Sequence, residues 1–238
     1  MHVRPAGRRG ALLFAASVAV LLAAWNNVVI TRTPGYPQSY VPVNLAATGL
    51  LLVGARSVGF TWKELGLDPR RARAGLRWGG ACSAVVAAGY AAGLAVSAVR
   101  PLLADARLAG ASSAEVAYQA LVRIPLGTVL WEEAAFRGVL LAALMRVVGP
   151  RTAVAVSAVL FGIWHIRPTL SAATANTLTD GPAGLVVAVL LGCAFTAAAG
   201  VLFAWLRLRS GSLLAPALLH LATNSLGALA ATAAHRLG

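Results

Sequence analysis

The chain has 238 residues, of which 59% are hydrophobic and only 11% charged, and its mean hydropathy is +0.77. That excludes a soluble globule and reads as a polytopic membrane protein, all-α because a helix satisfies its own backbone in lipid. The net charge of +13 comes from 20 Lys and Arg against 7 acids; it accompanies no RNA- or DNA-binding signature, so it argues against a nucleic-acid partner and for contact with the lipid bilayer.

The first apolar run, 11–30, follows Arg4, Arg8 and Arg9. It is long for a signal-peptide core and no A-x-A site follows, so a retained first helix acting as signal anchor is expected. Pro34-Gly35-Tyr36-Pro37 marks a loop. Further apolar windows at 42–60, 78–99, 125–147, 152–167, 183–206 and 212–234 predict a bundle of about seven (six to eight) transmembrane helices. The basic stretch 61–77, with scattered Leu and Trp, is expected to lie on the membrane surface. Ser112 and Glu115 have capping-box spacing for a helix start, and Pro125 should distort that helix. Cys82 and Cys193 form no C-x-x-C and read as small core residues. Trp25, Trp62, Trp78 and Trp164 are expected to anchor at the membrane interface.

With a cytoplasmic N-terminus, Arg4, Arg8, Arg9, Lys63, Arg70, Arg71, Arg73, Arg77, Arg146, Arg151, Arg207 and Arg209 fall inside. Arg32, Arg100, Arg107, Arg123, Arg167 and Arg236 fall outside. The inside surplus favours that orientation.

Within the fourth run, Glu132 and Glu133 stand side by side, although the chain has only 7 acids to place. A charge at the centre of a bilayer costs ~2.5–3.5 kcal/mol even on the lenient insertion scale, so intramembrane acids point to function. Glu133 and Arg137 are spaced i, i+4 with the acid first, the favourable order for an ion pair. Glu132 is rotated by about 100° onto another face. The fifth run carries Phe161-Gly162-Ile163-Trp164-His165 and the seventh His220-Leu221-Ala222-Thr223-Asn224. At 1.5 Å per residue, Glu132, His165 and Asn224 lie roughly 20 Å up their spans and His220 roughly 14 Å, so all approach one level. They are expected to converge on one buried, water-accessible pocket.

A carboxylate in an apolar cavity suits a general base that deprotonates water. Imidazoles can donate hydrogen bonds or a proton, and an amide can stabilise an oxyanion. Carboxylate, two imidazoles and an amide together form a kit for amide hydrolysis. The same atoms could serve Zn²⁺: Glu132, His165 and His220 would be its ligands, with an open fourth position, although no H-E-x-x-H is present.

The ordered motifs Glu132-Glu133-Ala134-Ala135-Phe136-Arg137, Phe161-x-x-x-His165 and His220-x-x-x-Asn224 resemble those of the CAAX-protease and bacteriocin-processing family. These are intramembrane endopeptidases, including the Abi proteins, related to the type 2 CAAX prenyl endopeptidase. The resemblance covers roughly 120–230. It implies Glu132 as the base, Glu133 and Arg137 as its support, and His165, His220 and Asn224 around the water or the oxyanion, with metal dependence undecided. It makes 111–238 the catalytic core and 1–110 a set of N-terminal transmembrane helices within a single integral membrane domain. It implies a peptide or protein substrate, membrane-associated or CAAX-like, and access from the cytoplasm, whereas charge counting puts the rare groups nearer the outer face. The Ala- and Arg-heavy composition suggests a bacterial plasma membrane. Two other classes use the same residues: a transporter with Glu132 and His165 as a proton relay, and an immunity or scaffold protein that kept the fold. No inverted repeat or matched pair of broken helices supports transport.

Overall fold

The computed structural model describes residues 7–237; Arg4, counted above with the inside charges, lies outside the described residues. Among the described residues every regular element is helical. Helix α1 spans Arg8–Arg32, α2 Tyr40–Ser57 and α3 Pro69–Ala95. A helical turn at Arg100–Leu103 leads to α4, residues 113–145. Helices α5 (Pro150–Trp164) and α6 (Ile166–Ala175) meet at His165 with a 41° bend, and α7 (Gly181–Ser210) and α8 (Leu214–Leu237) follow.

Four of these, α1, α3, α7 and α8, are long and apolar enough to cross a membrane, and the bent α5–α6 pair makes a fifth if it is one span. The chain is a multi-pass membrane protein, but length and hydropathy do not recover the expected count of seven. Helix α4 misses that test because it carries Glu132, Glu133 and Arg137. It is also the innermost rod, buried without a break over 131–143. A helix sheathed by protein needs no apolar outer face.

Local sequence explains the helix ends and irregularities. Ser112 Oγ accepts from the Glu115 backbone N–H while Glu115 returns its carboxylate to the Ser112 N–H at 2.8 Å, closing the expected capping box. Pro125 lacks an N–H, and the backbone around it, Gln119–Val129, widens to π-helical turns instead of breaking. Helix α7 ends on Gly211, whose φ of +72° is left-handed and lets its N–H reach the Arg207 carbonyl at 3.0 Å. Small residues bring rods together: a Cβ on Gly79 of α3 would sit 2.8 Å from Leu218 Cβ of α8, and one on Gly200 of α7 would sit 3.1 Å from Ala158 Cα of α5.

The basic stretch 61–77 is mostly exposed and is tied to the bundle at a few points. Its second half forms the start of α3, and its first half is drawn inward because Leu65, like the neighbouring Phe60, is fully buried. The Gly66 carbonyl accepts from the Leu213 N–H at 2.9 Å, and Arg207 Nη2 donates to the Glu64 carbonyl at 2.8 Å. Burial pushes the Glu64 carboxyl up, but hydrogen bonds from the Thr61 N–H and hydroxyl and from Arg146 outweigh it and hold the group below the usual range. At the other end of the bundle Asp105 accepts from Asn176 and Arg107, and its carbonyl meets His235 Nε2 at 2.8 Å.

Candidate active site

Three rods and the bend after α5 supply the polar groups. Helix α4 winds as π-helical turns over Glu133–Leu140, yet Arg137 Nη1 still donates to Glu133 Oε1 at 3.2 Å, making the expected i, i+4 pair. Neither side chain is more than 2% exposed. The same Glu133 oxygen lies 2.8 Å from His220 Nδ1 of α8. A carboxylate accepts, so this bond places an imidazole proton on Nδ1.

Glu132 approaches the same imidazole at its other ring nitrogen and reaches α5 as well. Its Oε1 accepts from the Trp164 indole N–H at 2.9 Å, and its Oε2 lies 3.7 Å from His220 Nε2 without a hydrogen-bond partner among the described residues. The two acids thus divide the work of holding: Glu133 Oε1 holds Arg137 and His220, Glu132 Oε1 holds Trp164, and each acid keeps a buried Oε2 without a hydrogen-bond partner among the described residues.

Aromatic rings close the site. The Arg137 guanidinium carbon is 3.9 Å from the Phe161 ring centroid and 4.8 Å from that of Phe203, so a buried cation with two unpaired N–H groups, Nε and Nη2, is held by π-faces as well as by Glu133. The His220 ring stacks on Phe203 at 5.1 Å. His165 sits at the break between α5 and α6, where its Nδ1 meets the Phe161 carbonyl at 2.7 Å and its ring lies edge-on to Phe161. A carbonyl accepts, so His165 also carries its proton on Nδ1.

The structure therefore brings Glu132, Glu133, Arg137 and His220 into direct contact and joins His165 to them through Phe161. Asn224 lies on a π-helical turn, Ala222–Leu226, half-buried, and its side chain makes no hydrogen bond among the described residues. The groups meet in the protein interior, with Glu132 3% and His220 4% exposed. A separate cavity of about 560 Å³ between α4 and α8, lined by residues such as Val116, Leu121, Leu229 and Arg236, lies several turns along from them. Among the described residues no group of three or more His, Cys, Asp or Glu side chains is arranged to hold a metal ion.

Two corrections follow. Trp164 is not an interface anchor: it is fully buried and hydrogen-bonded to Glu132. Trp25 is likewise engaged inside the protein, its indole N–H donating to Asn44 Oδ1 at 2.9 Å. Sequence reasoning passed over Asn26, Asn27 and Asn44. Adjacent amides in an apolar run were a signal of the same kind as the adjacent glutamates, since unpaired amides are costly in hydrocarbon.

These motif residues fall inside one stretch of recognisable kinship. Residues 115–226 match the type II CAAX prenyl endopeptidase Rce1-like family. The match contains all three motifs and supports a membrane-embedded peptidase of the CAAX type. No curated protein and no solved structure matches the chain. The Rce1-like stretch begins within the capping box at Glu115 and ends two residues beyond Asn224, so α1, α2 and α3 lie outside it.

Proposed function

We propose that the protein is an intramembrane endopeptidase in which Glu132 activates water to hydrolyse a peptide bond of a membrane-associated or CAAX-like substrate. One observation carries this reading: Glu132 Oε2 has no hydrogen-bond partner among the described residues and lies 3.7 Å from His220 Nε2. A water bridging these two atoms sets a hydrogen on the carboxylate that takes it.

The reaction balances on these groups. Glu132 takes one water proton as the hydroxide oxygen bonds to the scissile carbonyl carbon. The carbonyl electron pair moves to oxygen, where the free Asn224 amide donates to the oxyanion. Collapse restores the carbonyl and breaks the C–N bond, and the proton on Glu132 passes to the leaving amine. Glu133 and Arg137 are positioning residues that hold His220, and His165 flanks the same space from the α5–α6 break.

The wider reading is seven membrane crossings in a bacterial plasma membrane, with α4 crossing inside a sheath of the other helices and α2 packed on one side of it. The grouping of Lys63, Arg146 and Arg207 at one end and Arg107 and Arg236 at the other supports that alternation. The test is cleavage by purified protein of a quenched farnesylated CAAX-type peptide and of its unprenylated counterpart, with products read by mass spectrometry. Turnover that disappears in Glu132→Gln supports the reading; turnover that survives the substitution overturns it.

A further inference from the structure

The α5–α6 break is held from outside the Rce1-like stretch. Helix α1 opens into a π-helical turn at Trp25–Val29, and this turn presents two asparagines to the break. Asn27 Nδ2 donates to the Ile163 carbonyl at 2.8 Å, while its Oδ1 accepts from the Arg167 N–H at 3.0 Å. One side-chain amide thus bridges the last turn of α5 and the first turn of α6. Beside it, Asn26 Nδ2 donates to the Trp164 carbonyl at 3.2 Å. A bend interrupts the intrahelical ladder and leaves carbonyls and N–H groups that need partners in a dry environment. The two asparagines supply them at the residues flanking His165.

We infer that Asn26 and Asn27 are positioning residues that fix the bend angle and thereby hold the Trp164 indole on Glu132 and His165 beside the site. Trp164 contacts Asn26 through its backbone and Glu132 through its ring, so the first helix and the acid are joined by one residue. With Glu132 Oε1 pinned by the indole, Oε2 is the oxygen left for chemistry. The catalytic part of this inference rests on the proposed peptidase reading; the geometric part does not.

The test uses full-length protein labelled with ¹⁵N-tryptophan in detergent micelles. Indole N–H resonances are recorded, and that of Trp164 is assigned by its loss in Trp164→Phe. Asn27→Leu and Asn26→Leu should each shift the Trp164 indole resonance in the direction produced by Glu132→Gln. Val18→Ala, which trims a buried side chain on the same helix away from the break, should leave it in place. Should the leucine variants fail to fold, Asn27→Asp, which keeps the acceptor for Arg167 but sets oxygen against the Ile163 carbonyl, takes their place with the same expectation. On the quenched CAAX-type peptide, kcat should fall by roughly 10²-fold with KM little changed, because ångström-scale misplacement of catalytic groups costs rate rather than binding. An indole resonance unmoved by the asparagine variants, or moved equally by Val18→Ala, overturns the inference. Wild-type protein that cleaves neither peptide counts against the peptidase reading alone, while the indole shift still decides the role of the asparagines.

Discussion

Glu133 and His220, 87 residues apart, share a hydrogen bond of 2.8 Å in the middle of the bundle. Through it an acid on α4 fixes a proton on Nδ1 of an imidazole on α8 and turns the ring's Nε2 toward Glu132. The neighbouring Glu132 is then freed from structural duty on one oxygen. The pair of adjacent acids is one device with two parts.

Replacing Glu132 by Gln should leave a folded protein with cleavage reduced by about 10²–10⁴-fold, the usual range for a general base. The side chain keeps its volume and its Oε1 acceptor for Trp164. Peptide turnover measured beside circular dichroism and gel filtration checks it.

Glu133→Ala should cost far more stability. It removes the one carboxylate paired with Arg137 among the described residues and strands a buried cation, a change worth about 3–5 kcal/mol. The double variant Glu133→Leu with Arg137→Met should recover much of the thermal midpoint without recovering activity. A double variant as unstable as Glu133→Ala would mean that the loss came from packing, not from the unpaired charge.

Trp164→Phe keeps a buried ring but leaves Glu132 Oε1 without its donor. An unsatisfied buried polar atom costs about 1–3 kcal/mol, so the thermal midpoint should drop while the fold survives. Turnover should drop with it, as the carboxylate is free to rotate.

Asp105 gives a prediction outside the membrane. The Arg107 guanidinium hydrogen bond, against burial and helped by the Arg107 backbone and Asn176, lowers its pKa from 3.8 to about 2. A depressed pKa contributes stability above the unfolded value that is lost as pH falls through the folded one. Asp105→Asn should therefore be less stable than wild type at neutral pH, by ~1 kcal/mol or less because the pair is well exposed, and the gap should close between pH 4 and 2. Paired thermal melts across that window measure it.

Metal dependence separates two sources of activated water. If Glu132 alone activates the water, as proposed, exhaustive chelation should leave turnover unchanged. Activity lost to chelator and restored by Zn²⁺ would move the water onto an ion and require His165 to swing toward Glu132 and His220.

The residue order already contained the helical class, the capping box at Ser112 and the Glu133–Arg137 spacing, because these depend on neighbours three or four places apart. It also put Glu132, His165 and His220 near one depth, since helical rise converts position into height. What it could not contain is direction around each rod. Trp164 reads as an interface anchor until α4 is packed against α5, and Leu65 reads as one more residue of a basic stretch until it finds its buried slot. Only the folded bundle could assign Trp164 to Glu132 and Asn27 to the α5–α6 break. The partners stand 32 and about 140 residues apart, and the rotation and approach of whole helices, set by side-chain packing across many contacts, decides which of them meet.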